Sequence, residues 1–464
     1  MSWSRCTFES AKDVGINAIE IYFPRNYVEQ TSLEKETGNI GRNTIGLGQE
    51  QMGFCGDNED IVSISLTVTR SLLETYKIPT ESIGCLVVGT ETLIDKSKSV
   101  KTALMDLFPN NSNIEGVDIK NACFGGTQAL LHAIDWVTVN HGVDKKYAIV
   151  VVADIAIYEP GPARCTGGAG AMAFLITPDA SIPIDRQFAG FHMKNTWDFY
   201  KPIASVASEY PIVAGELSLT SYMEAVKISY TNFVTKVLKH TGQAVTVKSF
   251  DAIFFHSPFT KMVQKGLAYM CYTDSRIGQQ NDISKDLDVG DSAVLKQLVN
   301  ASSDIWKEKT DPYLMFNRRI GNMYTPSLFA QLLCFLASES CATLSEKNVL
   351  FFAYGSGLAS AAFPGRVRHS DNFERMRNVA ICALDRLGTR KEFSAEEFAA
   401  TLKLREDFLN SVPSEDVPVT PKSSHDELFP NTYYLTKMDK KYQRSYEIQE
   451  PKVQMNGNGN GVHH

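Results

Sequence analysis

Long runs of apolar residues, many of them β-branched, recur along the chain with few polar interruptions. Such runs are typical of strands buried on both faces of a sheet, because neither face is left polar for water. The sequence therefore predicts strands over residues 15–23, 84–90, 147–154, 171–177, 251–257, 348–355 and 358–363.

Between these strands, apolar residues recur three and four positions apart, which predicts helices with one buried face. Two such faces are formed by Ile61, Ile64, Val68 and Leu72, after Asp57 and Asn58 as N-caps, and by Tyr222, Ala225, Val226, Ser229, Tyr230 and Phe233. Alternation of strands and helices predicts an α/β fold built in layers. The pattern occurs before about residue 180 and again after about residue 245, so we expect two similar halves.

The C-terminal region has a different pattern. Residues 369–410 are predicted to be helical, with a capping box at 394–397. Residues 411–427 are rich in Pro and Ser and predict a loop, and residues 432–448 predict a polar hairpin. The tail, residues 449–464, has almost nothing to bury and is predicted to be disordered.

Composition narrows the class of protein. The chain has 464 residues, 43% hydrophobic and 21% charged, which suffices for two halves that each bury a core. A net charge of −7 argues against a nucleic-acid partner, and no apolar run is long enough for a membrane span. The nine cysteines are scattered without CxxC, and there is no HExxH motif. We therefore expect free thiols, a reducing compartment and no metal.

One cysteine lies where a turn is predicted to become a helix, in the stretch NACFGGT. Cys123 precedes Gly125 and Gly126, and the helical pattern follows. Free N–H groups and the helix dipole would lower the pKa of this thiol and favour the reactive thiolate. The glycines would let another group approach the backbone closely. A structural cysteine at a tight strand–helix junction is the alternative.

Residues suited to assist a thiol follow two other predicted strands. His256 ends an apolar strand at the edge where α/β folds place their chemistry, and Pro258 could start the next helix. Lys261 and Lys265 would share a face of that helix, where a phosphate would offset their repulsion. A capped core histidine and a solvated helix face are the alternatives.

A carboxylate follows the strand over residues 84–90. Partial desolvation at the end of an apolar strand would make Glu91 hold its proton more tightly, as a general acid/base near neutral pH requires. The loop after it carries Lys96, Lys98 and Lys101, which could meet an anion or only keep the loop solvated. A surface glutamate that opens a polar loop is the alternative.

Two glycine-containing loops complete the set. Asn322, in RRIGNMYTPS, has an amide that could hold a carbonyl oxygen. The turn YGSGLAS, residues 354–360, could offer backbone N–H groups to an oxyanion. Either motif by itself is more often only a turn.

Taken together and in order, these stretches closely resemble one enzyme family. They are TIGLGQEQMGFC, GTETLIDKSKSVK, NACFGGT, DFYKP, SEYPIVAGELS, HSPFTKMVQK, GNMYTPS and YGSGLA. They are similar to the eukaryotic hydroxymethylglutaryl-CoA synthases, and the similarity runs from about Val14 to about Tyr446. The resemblance implies the thiolase fold and a homodimer. It also implies condensation of acetyl-CoA with acetoacetyl-CoA to give 3-hydroxy-3-methylglutaryl-CoA, ahead of mevalonate, isoprenoid and sterol synthesis.

The resemblance also implies roles for individual residues. Cys123 matches the nucleophile that takes the acetyl group, Glu91 the acid/base, and His256 the histidine that binds the acetoacetyl thioester. Positions that match ligand-binding residues are Thr166, Ser218, Lys261, Lys265, Asn322 and Ser356, and polar positions near the reaction centre are Asp154 and Tyr200. The CoA thioesters are substrates, and no further cofactor is implied. Pro162 stands where the family commonly has a CoA-contacting Asn, so one CoA contact is in question.

Three other functions share some of these features. A chain-initiating β-ketoacyl synthase would share Cys123, His256 and Asn322, but it does not use a glutamate at the position of Glu91. A thiolase needs a second reactive cysteine late in the chain, and YGSGLAS has none. An inactive scaffold of this fold would not need Cys123, Glu91 and His256 intact.

The resemblance divides the chain into an N-terminal half, residues 14–180, and a C-terminal half, residues 181–448. Because it starts by about Val14, little room is left for a mitochondrial presequence, and Glu9 and Asp13 would suit one poorly. We therefore expect a cytoplasmic enzyme.

Overall fold

The computed structural model describes residues 9–202, 209–277, 291–414 and 417–451. The strands are β1 Gly15–Tyr22, β2 Asn26–Glu29, β3 Gln51–Gly53, β4 Ile83–Gly89, β5 Asp118–Ile119, β6 Tyr147–Ala156, β7 Gly168–Thr177, β8 Ile182–Pro183, β9 Gly190–Met193, β10 Phe199–Tyr200, β11 Ile212–Val213, β12 Ala252–Phe255, β13 Asn348–Gly355, β14 Ala359–Arg366, β15 Lys391–Phe393, β16 Tyr433–Met438 and β17 Arg444–Ile448.

The α-helices lie between and around these strands. They are α1 Gln30–Thr37, α2 Ile61–Tyr76, α3 Val100–Leu104, α4 Gly125–Asp144, α5 Gly215–Thr241, α6 Thr260–Ile277, α7 Ser292–Ala301, α8 Ser303–Lys309, α9 Met315–Ile320, α10 Ala330–Ser338, α11 Cys341–Leu344, α12 Asp371–Leu387 and α13 Ala395–Asn410. A π-type turn covers Arg42–Gly46, and 3₁₀ turns cover Thr80–Ser82, Met105–Leu107, Arg164–Thr166, Arg186–Phe188, Val247–Ser249, Asp311–Tyr313 and His425–Glu427.

Two sheets form the centre of the fold. The first has the strand order β5-β4-β6-β7-β1-β8, and the second has the order β12-β13-β14-β9. In the first sheet β4 runs parallel to β5 and β6, whereas β7 is antiparallel to β6 and β1. Helices α2 and α4 pack on the first sheet, and α5 packs on β9 and β14 of the second. The predicted α/β fold is confirmed.

The apolar runs are strands buried on both faces, as predicted. In β12, Phe254 belongs to one hydrophobic cluster and Phe255 to a second, and Phe351 and Phe352 of β13 divide in the same way. Because successive side chains of a strand point to opposite faces, both faces of this sheet are covered by apolar groups. Water is therefore excluded from the strands whose ends carry the candidate chemistry.

The predicted cap of α2 is wrong by two residues. Asp60, not Asp57 or Asn58, is the N-cap, and its Oδ1 accepts hydrogen bonds from the N–H groups of Val62 (3.0 Å) and Ser63 (2.9 Å). The sequence has three Asp or Asn residues among positions 57–60, and periodicity does not select among them.

The predicted helix over residues 369–410 is divided. Between α12 and α13 the chain forms β15, which pairs in parallel with β2. A three-residue strand has no readable period, and its partner is distant in sequence. The capping box of Ser394 and Glu397 is confirmed at the start of α13.

The predicted hairpin is also confirmed, as β16 and β17. Gln449, predicted to open the disordered tail, is buried, and its N–H donates to the carbonyl of Thr432 at 2.8 Å. Most of the predicted tail, residues 452–464, lies outside the described residues.

Asp60 anchors the C-terminal hairpin to the start of α2. Its Oδ2 accepts hydrogen bonds from Arg444 Nη1 (2.7 Å) and Tyr446 Oη (2.8 Å), while Oδ1 caps α2. Asp60→Ala removes a cap and leaves a mostly buried guanidinium unpaired. We expect it to lower the free energy of unfolding by about 3 kcal/mol.

Urea unfolding followed by circular dichroism measures this loss. The matched control is Ser394→Ala, which removes the N-cap of α13 but no buried ion pair, and we expect it to cost about 1 kcal/mol. Equal losses for the two variants would contradict the anchoring role.

Candidate active site

The candidate nucleophile lies in a tight turn between β5 and α4. Cys123 has φ of 51°, a left-handed conformation that a non-glycine residue adopts only when its surroundings impose it. The helix begins two residues later, at Gly125. The predicted position of the thiol at a strand–helix junction is therefore confirmed.

The glycines around this turn are needed for packing within the protein. A Cβ on Gly126 would lie 2.7 Å from Val152 Cγ1, and a Cβ on Gly89 would lie 2.4 Å from the Cα of Gly126. A Cβ on Gly355 would lie 1.8 Å from the carbonyl oxygen of Ala122. Close approach was predicted at Gly125 and Gly126, and at Gly126 the approaching groups are Val152 in β6 and Gly89 at the end of β4.

Glu91 lies directly beside the nucleophile. It follows β4, it is 9% exposed, and its Oε2 accepts the backbone N–H of Cys123 at 3.0 Å. Burial raises the pKa of Glu91 to about 7, against the opposing charge of Lys201. The prediction that this carboxyl holds its proton more tightly than in water is confirmed.

A second carboxylate, that of Asp154, fixes the main chain at Glu91. Asp154, on β6, is completely buried, and its Oδ1 accepts the N–H groups of Glu91 (2.8 Å) and Thr92 (3.0 Å). Its Oδ2 accepts the N–H (3.1 Å) and the hydroxyl (2.6 Å) of Thr325. Asp154 therefore joins three chain segments and has no described contact with the thiol itself.

The electrostatics of Cys123 differ from the prediction. Burial raises the pKa of this thiol well above its usual range, and the negative charges of Glu91 and Asp154 raise it further. The predicted lowering by the helix dipole is wrong for the free protein, because desolvation and two neighbouring carboxylates outweigh it. Cys123 is therefore a thiol until a group accepts its proton.

His256 follows β12, as predicted, and is almost completely buried. Its ring stacks on Tyr354 with centroids 6.4 Å apart, and burial lowers the pKa of His256 to about 3. The imidazole is therefore neutral at pH 7. The next helix begins at Thr260 rather than at Pro258.

The ring of Tyr354 connects His256 to the turn that carries Cys123. Tyr354 immediately precedes Gly355, which packs on the carbonyl of Ala122, and its hydroxyl donates to Asp198 Oδ2 at 2.6 Å. The main-chain N–H of Gly357, in the predicted oxyanion turn, donates to the other oxygen of Asp198 at 2.9 Å. This N–H is therefore already used within the protein.

Lys201 is a charged group of the site that the sequence analysis missed. Its Nζ lies 3.3 Å from Glu91 Oε1 and 4.6 Å from the centroid of the Tyr324 ring, and the side chain is largely buried. The motif DFYKP contains this lysine directly after two aromatic residues, which could have indicated it. Tyr200 is the residue of that motif that was predicted.

A cavity of about 390 Å³ opens beside Glu91. Three predicted residues, Glu91, Tyr200 and Ser356, line it together with Lys201 and Lys96. The other two lysines of that loop face elsewhere: Lys101 Nζ donates to the carbonyl of Ile114 at 2.8 Å, and Lys98 Nζ lies 3.3 Å from the hydroxyl of Thr102.

Three predicted binding residues make hydrogen bonds within the protein: Asn322 and Thr166 bond within their own loops, and Ser218 bonds from α5 to a neighbouring segment. Oδ1 of Asn322 accepts the N–H of Tyr324 (2.9 Å) and the hydroxyl of Ser327 (3.0 Å). The hydroxyl of Thr166 donates to the carbonyl of Ala163 at 2.7 Å, and that of Ser218 donates to the carbonyl of Asp198 at 3.0 Å.

The predicted CoA-binding lysines lie apart from Glu91. Lys261 lines a second cavity of about 370 Å³, and its Nζ donates to Gln264 Oε1 at 3.0 Å. Lys265 is half-buried one turn further along α6. In the described ranges no group of three or more His, Cys, Asp and Glu side chains could hold a metal ion, and no described helix could cross a membrane.

Two family models match nearly the whole chain. The models for the N-terminal and C-terminal parts of hydroxymethylglutaryl-coenzyme A synthase match residues 10–181 and 182–449. A hydroxymethylglutaryl-CoA synthase of Caenorhabditis elegans is 65% identical over 471 residues, which cover 100% of both chains. The chain belongs to the hydroxymethylglutaryl-CoA synthase family. It is an enzyme, and it condenses acetyl-CoA with acetoacetyl-CoA to give 3-hydroxy-3-methylglutaryl-CoA.

Other members of the family agree in fold and length. The cytoplasmic synthase of Homo sapiens is 41% identical, with 94% of this chain and 87% of that chain covered, and the human mitochondrial synthase is also 41% identical, with 94% and 89% covered. A solved structure described as MvaS in complex with 3-hydroxy-3-methylglutaryl coenzyme A has a TM-score of 0.81 and 28% identity over 95% of this chain and 100% of that one. The predicted family and thiolase-like fold are confirmed, so the synthase is neither a thiolase nor a β-ketoacyl synthase.

The geometry of Glu91 and Cys123 in this synthase can be tested without substrate. Glu91→Gln keeps an oxygen for the N–H of Cys123 but removes the negative charge that raises the pKa of the thiol. A larger share of Cys123 is then thiolate, so we expect its alkylation by iodoacetamide at pH 8 to be several-fold faster than in the wild type. Peptide mass spectrometry over time measures the rate, with the exposed Cys382 as the internal control. An unchanged rate at Cys123 would contradict the charge coupling.

Proposed function

We propose that this synthase works through an acetyl thioester on Cys123, with Glu91 as the acid/base and His256 as the group that polarises acetoacetyl-CoA. The observation that supports this most directly is the hydrogen bond of 3.0 Å from the N–H of Cys123 to Glu91. It brings a carboxyl of raised pKa to the main chain of Cys123, which supports a role for Glu91 in reactions of an acyl group on this thiol.

The first step is acyl transfer. The Cys123 sulfur attacks the carbonyl carbon of acetyl-CoA, the bond from that carbon to the CoA sulfur breaks, and the thiol proton leaves with CoA as CoA–SH. Because the pKa of Cys123 is raised, a base must accept the proton as the sulfur attacks. The Glu91 carboxylate is suited to this, since its own pKa of about 7 makes it a competent acceptor near neutral pH.

The second step forms the carbon–carbon bond. The Glu91 carboxylate removes a proton from the methyl group of acetyl-Cys123, and the enolate carbon attacks the ketone carbon of acetoacetyl-CoA. Protonated Glu91 then returns its proton to the new alkoxide. Water finally cleaves the bond between the acyl group and Cys123, which releases the product and restores the thiol. Both reactants are held in one site, so the enolate meets its electrophile before water can quench it.

His256 acts in this scheme as a neutral hydrogen-bond donor. Its pKa of about 3 excludes an imidazolium at pH 7, and its stacking on Tyr354 fixes the plane of the ring. A neutral imidazole can donate one N–H to the carbonyl oxygen on which negative charge develops.

The remaining predicted residues are proposed to bind substrate. Tyr200 and Ser356 line the cavity beside Glu91 and would contact the acyl groups, while Asn322 and Ser218 shape the loops around them. Thr166, Lys261 and Lys265 are proposed to bind the CoA portion. Asp154 is proposed to position Glu91 rather than to contact substrate.

We further propose a homodimer in the cytoplasm, supplying sterol and other isoprenoid synthesis, with halves that divide near residue 180. The exposed Val117 next to the edge strand β5, and Val139 and Val143 on α4, support an association surface. Sedimentation velocity and cell fractionation of the full chain test these two properties.

The nucleophile and the acid/base can be separated by mass spectrometry. After incubation with acetyl-CoA alone, we expect one acetyl group on the Cys123 peptide of the wild type but none in Cys123→Ser. We expect the acetyl group in Glu91→Gln as well, because loss of the negative charge leaves more of Cys123 as thiolate, which can attack without a base. When acetoacetyl-CoA is added, the wild type should lose the label as product appears, and Glu91→Gln should turn over about 1,000-fold more slowly.

The matched control is Glu81→Gln, an exposed glutamate just before β4, which should behave as the wild type. Product formation by Glu91→Gln at the wild-type rate would refute the acid/base role. Acetylation at a residue other than Cys123 would refute the nucleophile.

Lys201 should set the pH at which the acid/base works. Its positive charge lowers the pKa of Glu91. Lys201→Met therefore raises that pKa, so at a given pH less Glu91 is ionised and able to act as a base. We expect the acidic limb of the kcat profile to move to higher pH by about one unit, with activity partly recovered above pH 8.

Steady-state rates between pH 5.5 and 9.5 measure this shift. Lys437→Met, an exposed lysine of the C-terminal hairpin, is the control and should leave the profile unchanged. A uniform loss of activity at every pH in Lys201→Met would show that Lys201 does not act through the ionisation of Glu91.

A further inference from the structure

A buried carboxylate outside the catalytic centre organises the loop after α1. Glu34, on α1, is 2% exposed, and its Oε1 accepts the N–H groups of Asn43 and Thr44, both at 2.7 Å, and the hydroxyl of Thr44 at 2.9 Å. Its Oε2 accepts the N–H of Gly41 at 2.9 Å. One side chain therefore accepts three main-chain N–H groups, those of Gly41, Asn43 and Thr44, which have no partner in a sheet or an α-helix.

These contacts favour the charged form of Glu34. Burial acts against the charge, but the hydrogen bonds from Thr44, Gly41 and Asn43 outweigh it and lower the pKa of the carboxyl. An anion that accepts several N–H groups holds them more strongly than a neutral acceptor would. The conformation of residues 41–44 thus depends on this charge.

The loop that Glu34 holds is attached to the helix that carries the proposed CoA-binding lysines. The carbonyl of Leu47 accepts the N–H of Lys261 at 3.0 Å. Oε1 of Gln49 accepts both the N–H and the hydroxyl of Thr260, each at 3.0 Å. Residues 47–49 therefore fix the start of α6 and the backbone of Lys261.

The same loop also reaches the other proposed CoA-binding segment. Arg42 Nη2 donates to the carbonyl of Pro162 at 3.2 Å, four residues before Thr166. Between these two attachments, Thr44, Ile45 and Gly48 form part of the wall of the second cavity, together with Lys261. Residues 41–49 thus connect two segments that lie far apart in sequence.

We infer that Glu34 is a positioning residue for CoA binding: its carboxylate holds residues 41–49 in the conformation that joins the Pro162–Thr166 segment to the start of α6. The inference rests on the proposed function in naming these two segments as the site of the CoA portion. Glu34 itself contacts neither substrate nor reacting atoms. If Glu34 is replaced, the binding-competent conformation becomes only fractionally populated, and the apparent affinity for CoA falls in proportion to that population.

Glu34→Gln is the direct test, because it keeps the size of the side chain but removes the charge. We expect kcat/KM for acetyl-CoA to fall about tenfold through KM, with kcat unchanged. With acetyl-pantetheine, which keeps the thioester arm but lacks the nucleotide and its phosphates, kcat/KM should equal that of the wild type. A general loss of folding would lower kcat/KM for both substrates equally, because it reduces the amount of active enzyme.

The matched control is Glu36→Gln, which replaces an exposed glutamate on the same helix. It should leave kcat/KM for both substrates unchanged. Equal losses with acetyl-CoA and acetyl-pantetheine in Glu34→Gln, or no loss with either, would overturn the inference. If Glu34→Gln does not fold, Thr44→Val removes one of the four hydrogen bonds and should raise KM for acetyl-CoA by about twofold. An unchanged KM in that variant would overturn the inference.

Calorimetric titration with free CoA separates this inference from the proposed function. A wild-type protein that binds CoA but forms no acetyl-Cys123 would overturn the proposed function and leave the comparison with Glu34→Gln valid. Equal CoA affinities for the wild type and Glu34→Gln would overturn the inference and leave the proposed function intact.

Discussion

The buried carboxylate of Asp154 is the constraint on which the catalytic centre depends. It lies on β6, in the middle of the first sheet, and each of its oxygens binds a different loop. Unpaired charge in such a place would be costly, and hydrogen bonds from Thr90, Thr92, Glu91 and Thr325 compensate for it. Because these donors come from the end of β4 and from the loop before α10, the charge forces both segments into one place.

The same arrangement sets the protonation states of the groups in front of it. Cys123, Glu91 and His256 are all desolvated, and desolvation favours the neutral form of each: thiol, carboxylic acid and imidazole. Lys201 is the cation that moderates this effect on Glu91 and Cys123. Because each of these three groups is stable in its neutral form, one proton can pass among them without creating an isolated buried charge, as the proposed enolisation and alkoxide protonation require.

The parts of this site that local sequence can specify were predicted, and the parts that depend on distant neighbours were not. Buried strands are predictable because their apolar runs are short and rich in β-branched residues, and Glu91 and His256 are predictable because each ends such a run. The raised pKa of Cys123 was missed, since it results from burial and from carboxylates that reach the thiol only through the fold. Lys201 was missed for the same reason: its role is set by the distance to Glu91, not by its own sequence neighbours.

Pro162 illustrates how a departure from the family pattern can be absorbed by the backbone. Proline offers neither an amide side chain nor an N–H, so only the carbonyl of this residue can make a strong hydrogen bond. That carbonyl accepts Arg42 Nη2 and lies 3.4 Å from Cys165 Sγ. We expect Pro162 to lack the side-chain contact to CoA that the resemblance implies for an Asn at this position, yet the segment that carries Thr166 remains tied to the loop at residues 41–49. Because this tie uses main-chain atoms and an arginine, it constrains the segment independently of which side chain stands at position 162. The Pro162–Thr166 segment can therefore keep its conformation even where one side-chain contact to CoA is lost.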